Sequence, residues 1–548
     1  MEQQQNLYQK HKDLLGDAMG ALSTRQFFSP YPEHPKAYDQ ELDAQGKDAF
    51  GRLLNLDFTE LNQDADQWVG EEVSPLWQTG IGVRYPSISA DQYIAKSQVA
   101  FKEWKKISLQ ERAGLLVESL ERVRARFFEL AYATIHTTGQ SFMMAFQASG
   151  PHAADRALEA VAVGVQELTR YPESLAFSKP LGKYSLDVQK SWKPIPKGVG
   201  VVIGCSTFPT WNTVPGVYAN LISGNTAIIK PHPKSILAIA IFISELRKLL
   251  VEYGVNPDVV QLAPDNVSHP IAKELAEHPE VKLIDYTGGN AFGDYLEGLD
   301  KTVFTEKSGI NSVILDSTDD LKGLAQNIAF SVCLYSGQMC TAPQNVFVPE
   351  VVQTADGPVS FDEVAAEIVK AIQGVIAHPK MGIGTLGNVQ NGGTQKRIES
   401  QKGEVLLAPM RLENPEAPNA RIMSPTVIQT DGKSNDFAEE CFGPLIYLVK
   451  TKDTTESVNL ASNLARSKGA ITCLAFSTDD SVRTFIVEEM NAAFTPVSMN
   501  MKGAGFVNQH AAFSDLHVLG GNPAGNATFA DPAFVNRRFV WVGNRRMG

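Results

Sequence analysis

The spacing of apolar residues changes along the chain and divides it into stretches of different predicted structure. Residues 1–88 show no sustained period and include segments rich in proline and aromatic residues, such as FFSPYPEHPKAY, which predicts an irregular, extended arm lying on the body of the protein. Over residues 89–171 apolar positions recur every three or four residues, which predicts helices. The polar stretch near residues 178–196 alternates in character, which is typical of an exposed β-hairpin.

Beyond the hairpin, short β-branched runs alternate with longer segments of helical period. GVGVVIG, TAIIK, KLIDYTG and NSVILD have the composition of buried strands in a parallel sheet. Helical segments such as SILAIAIFISELRKLLVEYG separate them, and this alternation favours a doubly wound α/β sheet. A second α/β series follows Glu306. The pattern therefore predicts an α/β fold with two units joined near residues 301–306 and a glycine-rich C-terminal segment.

Length and charge narrow the class of protein. A chain of 548 residues is too long for one compact core and predicts two or three domains. A net charge of −12 argues against nucleic acid or an anionic membrane as a main partner, because both attract basic surfaces. The N-terminus has no apolar signal region, and the longest apolar run, residues 236–243, is too short to span a bilayer. We expect a cytoplasmic enzyme of small molecules.

The cysteines provide one candidate nucleophile. They are odd in number and form no CxxC pair, so neither a disulfide framework nor a thiol metal cluster is expected; they are Cys205, Cys333, Cys340, Cys441 and Cys473. Cys340 lies in YSGQMCTAP, where Gly337 permits a tight turn whose backbone N–H groups can hold an oxyanion. The alternative for such a cysteine is a small core residue.

Three further segments could complete a site around this thiol. Glu306 follows a predicted strand, where α/β active sites are built, and could activate water; it could equally be a surface residue. TGGNAFG, residues 287–293, lies between a strand and a helix, where amides can bind phosphate, although a plain loop is the alternative. Lys230 ends a strand and could reach a ribose or phosphate, or merely be solvated.

Five segments, in this order and spacing, resemble the aldehyde dehydrogenase superfamily from residue 89 onwards. They are GNTAIIKP, TGGNAFG, TEKSGINSVILD, SGQMCTAP and EECFGPL. More narrowly, SPYPEHPKAY in the arm and the full length resemble the PaaN branch of phenylacetic acid degradation proteins, which is associated with bacterial aromatic-acid catabolism.

The resemblance implies a division of the chain and a role for each matching residue. Residues 89–305 would form a Rossmann-like cofactor domain and 306–495 the catalytic domain. Residues 496–548 would complete the cofactor domain and, with the hairpin, a small oligomerisation element of a homodimer or homotetramer. Cys340 would be the nucleophile and Glu306 the general base. The implied cofactor contacts are Lys230 at the adenosine ribose, Gly288, Gly289 and Gly293 at the pyrophosphate, and Glu440 and Phe442 at the nicotinamide riboside.

Two positions depart from the family pattern. The superfamily has an oxyanion-hole asparagine in a Trp-Asn-Phe-Pro segment; counting back from Gly224 puts Thr207 there, while Asn212 could serve only if the loop is rearranged. A threonine hydroxyl reaches less far than an amide. NAD-preferring relatives often have a glutamate three residues after the lysine, where this chain has Pro233 followed by Lys234. Because no carboxylate there would oppose a 2′-phosphate, NADP is expected to be accepted and preferred over NAD.

The resulting hypothesis is oxidation of an aldehyde to a carboxylic acid through a thiohemiacetal and a thioester on Cys340, with Glu306 activating water. Two alternatives remain open at this point. Coenzyme A could take the acyl group in place of water, or the chain could be an inactive, cofactor-binding partner protein. The aldehyde itself is not identified by the sequence; a CoA-linked semialdehyde is what the narrower resemblance suggests.

Overall fold

The computed structural model describes residues 2–378, 381–505, 512–517, 520–529 and 531–547. Within these ranges no helix is long and apolar enough to cross a membrane. The predicted α/β fold is confirmed, with two separate sheets of largely parallel strands.

The N-terminal region is more regular than its sequence pattern predicted. Residues 1–88 include two helices and a two-stranded antiparallel pair, and the expectation of an extended, irregular arm is wrong for these segments. The first helix packs on the body through buried Leu7, His11, Leu15, Ala18 and Leu22, whose spacing of four, four, three and four residues follows one helical face. The elements are α1 (Glu2–Thr24), α2 (Glu41–Leu53), β1 (Gln67–Val69) and β2 (Tyr85–Ser87).

The helical period over residues 89–171 corresponds to a layer of five helices. Ser89 and Ser108 each begin a helix with a capping box, in which the serine side chain and a Gln or Glu three residues later satisfy each other's backbone N–H groups. The helices are α3 (Ala90–Trp104), α4 (Leu109–Arg124), α5 (Phe127–Thr138), α6 (Phe142–Ser149) and α7 (Pro151–Leu168). The hairpin follows as β3 (Ser174–Leu181) and β4 (Tyr184–Pro196), joined at Gly182, whose φ of +70° suits the turn.

The first parallel sheet has the strand order β7–β6–β5–β8–β9 and begins directly after the hairpin. Most of its strand residues are buried, as expected for a sheet covered on both faces. Its strands are β5 (Val199–Ile203), β6 (Thr226–Lys230), β7 (Val260–Leu262), β8 (Val281–Thr287) and β9 (Thr302–Glu306). The connecting helices are α8 (Val214–Ile222), α9 (Leu237–Glu252), α10 (Ala272–Glu277) and α11 (Asn290–Glu297).

The second large sheet has the order β15–β18–β19–β12–β10–β20–β21 and, in this set, only the edge pair β15–β18 runs antiparallel. Its strands are β10 (Asn311–Leu315), β12 (Pro343–Pro349), β15 (Glu404–Leu407), β18 (Thr426–Asp431), β19 (Leu445–Thr451), β20 (Cys473–Phe476) and β21 (Val497–Met499). Shorter strands are β11 (Ser317–Thr318), β13 (Val351–Thr354), β14 (Gly357–Ser360), β16 (Arg411–Leu412) and β17 (Ile422–Met423). The helices are α12 (Leu321–Cys333), α13 (Phe361–Ala377), α14 (Met381–Leu386), α15 (Gly392–Glu399), α16 (Thr454–Lys468) and α17 (Asp480–Asn491).

The C-terminal segment returns to the first sheet. It contains α18 (Pro532–Asn536) and β22 (Phe539–Met547), and β22 pairs antiparallel with β4 to complete a three-stranded sheet with β3. Between them, the fully buried guanidinium of Arg538 forms two hydrogen bonds, of 2.6 and 2.8 Å, with the carboxylate of Asp285 on β8. This bidentate pair joins the tail to the middle of the first sheet.

Candidate active site

Cys340 lies on a tight turn between α12 and β12. The backbone before it is left-handed at three successive residues, Tyr335, Ser336 and Gly337. A Cβ on Gly337 would collide with the carbonyl oxygen of Gly443, in the EECFGPL segment, so only glycine fits there. On its other side, the Asn311 side-chain amide donates a 2.7 Å hydrogen bond to the Cys340 carbonyl oxygen. The turn is therefore held from both sides, and the thiol borders a cavity.

Glu306 ends β9 at the carboxyl edge of the first sheet, and only 4% of it is exposed. Its Oε2 accepts a 2.6 Å hydrogen bond from the Asn212 side-chain amide and a long one, of 3.5 Å, from the Thr287 hydroxyl. Its Oε1 has no hydrogen-bond partner among the described residues. A buried carboxylate oxygen without a donor is costly to maintain and is available for a substrate or a water molecule.

His517 joins these two residues, although the sequence pattern did not indicate it. Its Nε2 lies 3.9 Å from the Cys340 sulfur and 3.6 Å from Glu306 Oε1, and the reactive atoms of all three residues lie within 4.8 Å of one another. The histidine is contributed by the glycine-rich C-terminal segment, where no hydrophobic period or spaced motif marks its position.

Burial dominates the electrostatics of this cluster. Removal from water raises the pKa of the Cys340 thiol well above its ordinary value, and the neighbouring Glu306 raises it further. Burial also lowers the pKa of His517, against the opposing effect of Glu306. The thiol and the imidazole are therefore both neutral near pH 7, and a nucleophilic role of the sulfur would require a proton acceptor.

Asn212, rather than Thr207, is the side chain that the structure brings to Cys340 and Glu306. Asn212 borders the same cavity as Cys340, and its Oδ1 accepts a long hydrogen bond from the Cys205 thiol, 3.6 Å away. The Thr207 hydroxyl lies beside Cys205, and the Thr207 carbonyl oxygen accepts a hydrogen bond from the Gln140 side chain. The loop before α8 therefore directs the Asn212 amide, and not the Thr207 hydroxyl, towards Glu306.

The cavity that ends at Cys340 has a volume of about 450 Å³. Methionine, phenylalanine and other apolar side chains provide most of its wall, including Met144, Phe208, Trp211, Phe330 and Leu334. Among the described lining residues none is Lys, Arg, Asp or Glu, and His152 is the one titratable side chain besides Cys340. The wall thus suits an uncharged, apolar molecule.

The glycines of TGGNAFG differ in whether a side chain would fit at their positions. A Cβ on Gly288 would collide with the Tyr286 ring, and one on Gly293 would collide with the Lys307 side chain, so both permit close packing. A Cβ on Gly289 would meet nothing within 4 Å. Gly289 begins α11 without a side-chain cap, so open space lies beside the free N–H groups of a helix N-terminus, an arrangement that binds phosphate. The Gly288 N–H donates to the Glu306 carbonyl oxygen, 3.0 Å away, and connects this turn to the cluster of Glu306, Cys340 and His517.

The segment expected to meet the adenosine lies at the carboxyl end of β6. Lys230 is buried and forms a 2.7 Å ion pair with Asp265, while Lys234 is exposed and Pro233 half-buried.

The structure also places a carboxylate near this segment that sequence reasoning missed. Glu72, from the N-terminal region, accepts hydrogen bonds from the N–H groups of Ile236 and Leu237 at the start of α9.

Glu440 and Phe442 lie on the loop before β19, against the turn that follows Glu306. Burial raises the pKa of Glu440, although hydrogen bonds from the Ser308 hydroxyl and the Gly309 N–H oppose this. The Phe442 carbonyl oxygen accepts a 2.9 Å hydrogen bond from Arg397. The glutamate, cysteine and EECFGPL segments are therefore adjacent in space.

Comparison with known proteins agrees with this geometry. Residues 84–508 match the aldehyde dehydrogenase family. The crystal structure of an NAD-dependent aldehyde dehydrogenase from Burkholderia multivorans is 44% identical, covers 98% of both chains and superposes with a TM-score of 0.95. The 1-pyrroline-5-carboxylate dehydrogenase 2 of Bacillus subtilis (strain 168) is 26% identical over 397 residues, which cover 68% of this chain and 71% of the relative. A Thermus 1-pyrroline-5-carboxylate dehydrogenase with bound NAD shares the fold, with a TM-score of 0.76 at 18% identity over 95% of this chain and 99% of that one. The chain belongs to the aldehyde dehydrogenase family.

Proposed function

We propose that this enzyme oxidises an uncharged aldehyde to its carboxylic acid through a thioester on Cys340, and that Glu306 activates the water that releases the acid. The observation that carries the proposal is that Cys340 and Asn212 border one apolar cavity, and that the buried carboxylate of Glu306 contacts the Asn212 amide and lies within 4.8 Å of the thiol. These are the nucleophile, base and oxyanion donor that acyl chemistry on a thiol requires.

The residues act in a fixed order. The Cys340 sulfur adds to the carbonyl carbon of an aldehyde that enters through the cavity. The negative charge that develops on the oxygen is stabilised by the Cys340 backbone N–H and by the Asn212 amide, which has a second N–H besides the one that it gives to Glu306. A bound nicotinamide dinucleotide supplies the hydride acceptor. Glu306 Oε1, which has no other donor among the described residues, then takes a proton from the water that attacks the thioester.

A dinucleotide fits the residues on the other side of the thiol. The space beside Gly289 would admit a pyrophosphate onto the N–H groups of α11, packed close by Gly288 and Gly293. Glu440 would accept hydrogen bonds from the nicotinamide ribose, with Phe442 at the ring. Lys230, at the end of β6, would meet the adenosine ribose.

We propose that both NAD and NADP are accepted. The Burkholderia multivorans relative is an NAD-dependent enzyme. Neither half-buried Pro233 nor exposed Lys234 would repel a 2′-phosphate, and the carboxyl oxygens of Glu72 are already engaged by Tyr85, Ile236 and Leu237. A preference for NADP stays a prediction, and a kcat/KM ratio favouring NAD by about tenfold or more would overturn it.

The cavity wall supports an aldehyde with an apolar body, such as an aromatic ring or a medium-length alkyl chain. The curated relatives act, by their names, on 1-pyrroline-5-carboxylate. Its open-chain semialdehyde carries an ammonium and a carboxylate, and burying these against an uncharged wall would cost several kcal/mol. A role in phenylacetate catabolism remains a prediction that agrees with an aromatic substrate.

The test is a panel of phenylacetaldehyde, hexanal and 1-pyrroline-5-carboxylate with each cofactor, followed by absorbance of the reduced nicotinamide. We expect the first two to give the higher kcat/KM and a free carboxylic acid as product, with Cys340→Ala inactive. A product that becomes acyl-CoA when coenzyme A is added would identify an acylating dehydrogenase. Cofactor binding without turnover of any aldehyde, CoA-linked semialdehydes included, would identify an inactive partner protein.

We also propose that β3, β4 and β22 form the contact of a homodimer or homotetramer. Several apolar side chains of this sheet are exposed, including Leu175, Tyr184, Ile195 and Val540, and β3 presents a free edge in the described chain. Light scattering should give a dimer or tetramer mass, and Leu175→Lys should lower it.

A further inference from the structure

We propose that His517 is a third catalytic residue, which accepts the thiol proton of Cys340 as the sulfur attacks the aldehyde. The inference deepens the proposed function and rests on it. The juxtaposition that carries it is the imidazole Nε2, 3.9 Å from the sulfur and 3.6 Å from Glu306 Oε1. A small shortening of the first distance brings the thiol within hydrogen-bond reach of the nitrogen.

The histidine ring is held in place as a positioned base must be. It is 3% exposed, meets the Trp211 ring edge to face with centroids 4.6 Å apart, and lies 5.8 Å from the Phe529 ring. Its carbonyl oxygen accepts a 2.7 Å hydrogen bond from the Phe529 N–H. Trp211 precedes Asn212, so the same loop positions the base and the oxyanion donor.

Two bases divide the two proton transfers of the reaction. Glu306 has one oxygen engaged by Asn212, and its other oxygen has no hydrogen-bond partner among the described residues and is available to a water molecule. If Glu306 also took the thiol proton, it would have to lose it again before it could act on water. A separate acceptor for the thiol leaves the carboxylate charged, and a charged carboxylate 3.6 Å away stabilises the imidazolium that forms.

The proton and electron changes balance when a nicotinamide dinucleotide is the hydride acceptor and one proton leaves to solvent. The S–H bond breaks and its proton passes to His517 Nε2, while the sulfur electron pair forms the C–S bond and the carbonyl π pair moves to oxygen. The oxyanion electron pair then re-forms the C=O bond as the C–H bond breaks, and a bound nicotinamide dinucleotide would accept the hydride, which leaves the thioester. When water attacks the thioester, Glu306 takes one water proton, which it afterwards loses to solvent, and the C–S bond breaks. The leaving sulfur recovers its proton from the imidazolium, which restores neutral His517.

The charges around His517 agree with a base that is neutral at rest. Burial lowers its pKa, and Arg156 on α7 acts in the same direction, whereas Glu306 on β9 and Asp515 on its own segment oppose them. Burial together with Glu306 raises the pKa of the Cys340 thiol. A neutral thiol beside a neutral imidazole is the pair that general-base catalysis uses.

The first experiment measures alkylation of Cys340 by iodoacetamide between pH 6 and 9, with EDTA present and the modified peptide quantified by mass spectrometry. The intact enzyme should react at a rate that changes little above pH 7. His517→Gln and His517→Asn should react at least tenfold more slowly at pH 7, with a rate that rises about tenfold per pH unit. A tenfold rise per unit in the wild-type enzyme would overturn the proposal whether or not the variants fold.

His11→Gln is the matched control. His11 is also buried and also contacts a glutamate through Nε2, 2.6 Å from Glu118, but it lies on α1, outside the site. We expect its alkylation profile to equal that of the wild type. A purely structural role of His517 would lower the rate equally at every pH and leave the slope unchanged, which would also contradict the proposal.

The second experiment compares the first-turnover burst of reduced nicotinamide in two variants. Glu306→Gln should keep a fast burst and then stall, while His517→Gln should slow the burst about a hundredfold or more, the usual contribution of a general base. The reverse result would assign the thiol proton to Glu306. Absence of a burst in the wild type with every aldehyde would instead refute the proposed function, and the alkylation profiles would still report on His517.

Discussion

Two buried glutamates show how this fold uses the same carboxyl group in different ways. Glu72, 2% exposed, lies at the start of α9, and both its oxygens are engaged: one accepts from the N–H groups of Ile236 and Leu237, the other from the Tyr85 hydroxyl. In the described part of the chain, Glu306, 4% exposed, has only Oε2 engaged by side-chain hydrogen bonds, and its Oε1 lies near a thiol and an imidazole. Burial alone does not make a carboxylate reactive; an acceptor left free beside a nucleophile does.

The largest expected effect is a loss of turnover when Glu306 is substituted. Glu306→Gln should lower steady-state turnover by about 10³-fold, because an amide cannot take a proton from water. The free energy of unfolding should change by less than about 1 kcal/mol, because the amide oxygen can still accept from Asn212. Steady-state kinetics and urea denaturation measure the two. A loss of stability without a loss of turnover would make Glu306 a structural residue like Glu72.

The opposite outcome is expected for Glu72→Ala. This change leaves two backbone N–H groups and the Tyr85 hydroxyl buried without an acceptor, which should lower the free energy of unfolding by about 3 kcal/mol. Turnover of the folded enzyme should stay within about twofold. Glu71→Ala is the matched control, since this neighbour is exposed and, among the described residues, accepts a hydrogen bond only from the Val267 N–H. Equal losses in both variants would remove the structural role of Glu72.

Removal of the Asn212 amide, which donates a hydrogen bond to Glu306, provides a further test of the difference between Glu306 and Glu72. Asn212→Ala should lower kcat by about 10²-fold, because an oxyanion donor and a partner of the carboxylate are lost together. Thr207→Val tests the residue selected by counting back from Gly224 in the sequence, and it should lower kcat much less. If the two variants ranked the other way in single-turnover rates, Thr207 would be the oxyanion donor.

The smallest effect concerns pH and stability. Burial raises the pKa of Glu72 to about 7, against the hydrogen bonds from Tyr85, Ile236 and Leu237. The folded protein binds the carboxyl proton of Glu72 more tightly than the unfolded chain does. Protonation of Glu72 therefore contributes fully to the free energy of unfolding below about pH 4.5, and this contribution is lost as the pH rises through 7. Between pH 5 and 8 the free energy of unfolding should fall by roughly 2 kcal/mol from this group. Glu72→Gln should flatten that slope in denaturant titrations, and an unchanged slope would contradict the assignment.

Much of the fold could be predicted from hydrophobic period, because the buried strands and the long helices carry strong local patterns. TAIIK and NSVILD became β6 and β10, and the long apolar segment after Ser235 became α9. The motif spacing also selected Cys340 and Glu306, which the structure brings within 4.8 Å of each other. Helix α1 was missed because its apolar positions are few and lie among charged residues, although Leu7, Leu15 and Leu22 do share one face.

The rest of the site depends on tertiary geometry that no local pattern encodes. The sequence favoured Thr207 over Asn212 by counting back from Gly224, and that count carries no information on how the loop before α8 brings the Asn212 amide to Glu306. His517 lies in a segment without hydrophobic period, and it meets Cys340 from 177 residues away. Glu72 reaches the start of α9 from 164 residues earlier. Contacts of this range are made by the packing of whole elements.

The ion pair of Asp285 and Arg538 has a consequence for biosynthesis. The two residues are 253 positions apart, so the ribosome makes the carboxylate of β8 long before its guanidinium partner. Until that partner emerges, the first sheet contains an interior negative charge without its counter-ion, a state that is costly in a low-dielectric environment. The part of the enzyme built on the first sheet should therefore mature late in translation, and nascent chains stalled before Arg538 should remain sensitive to protease across β8.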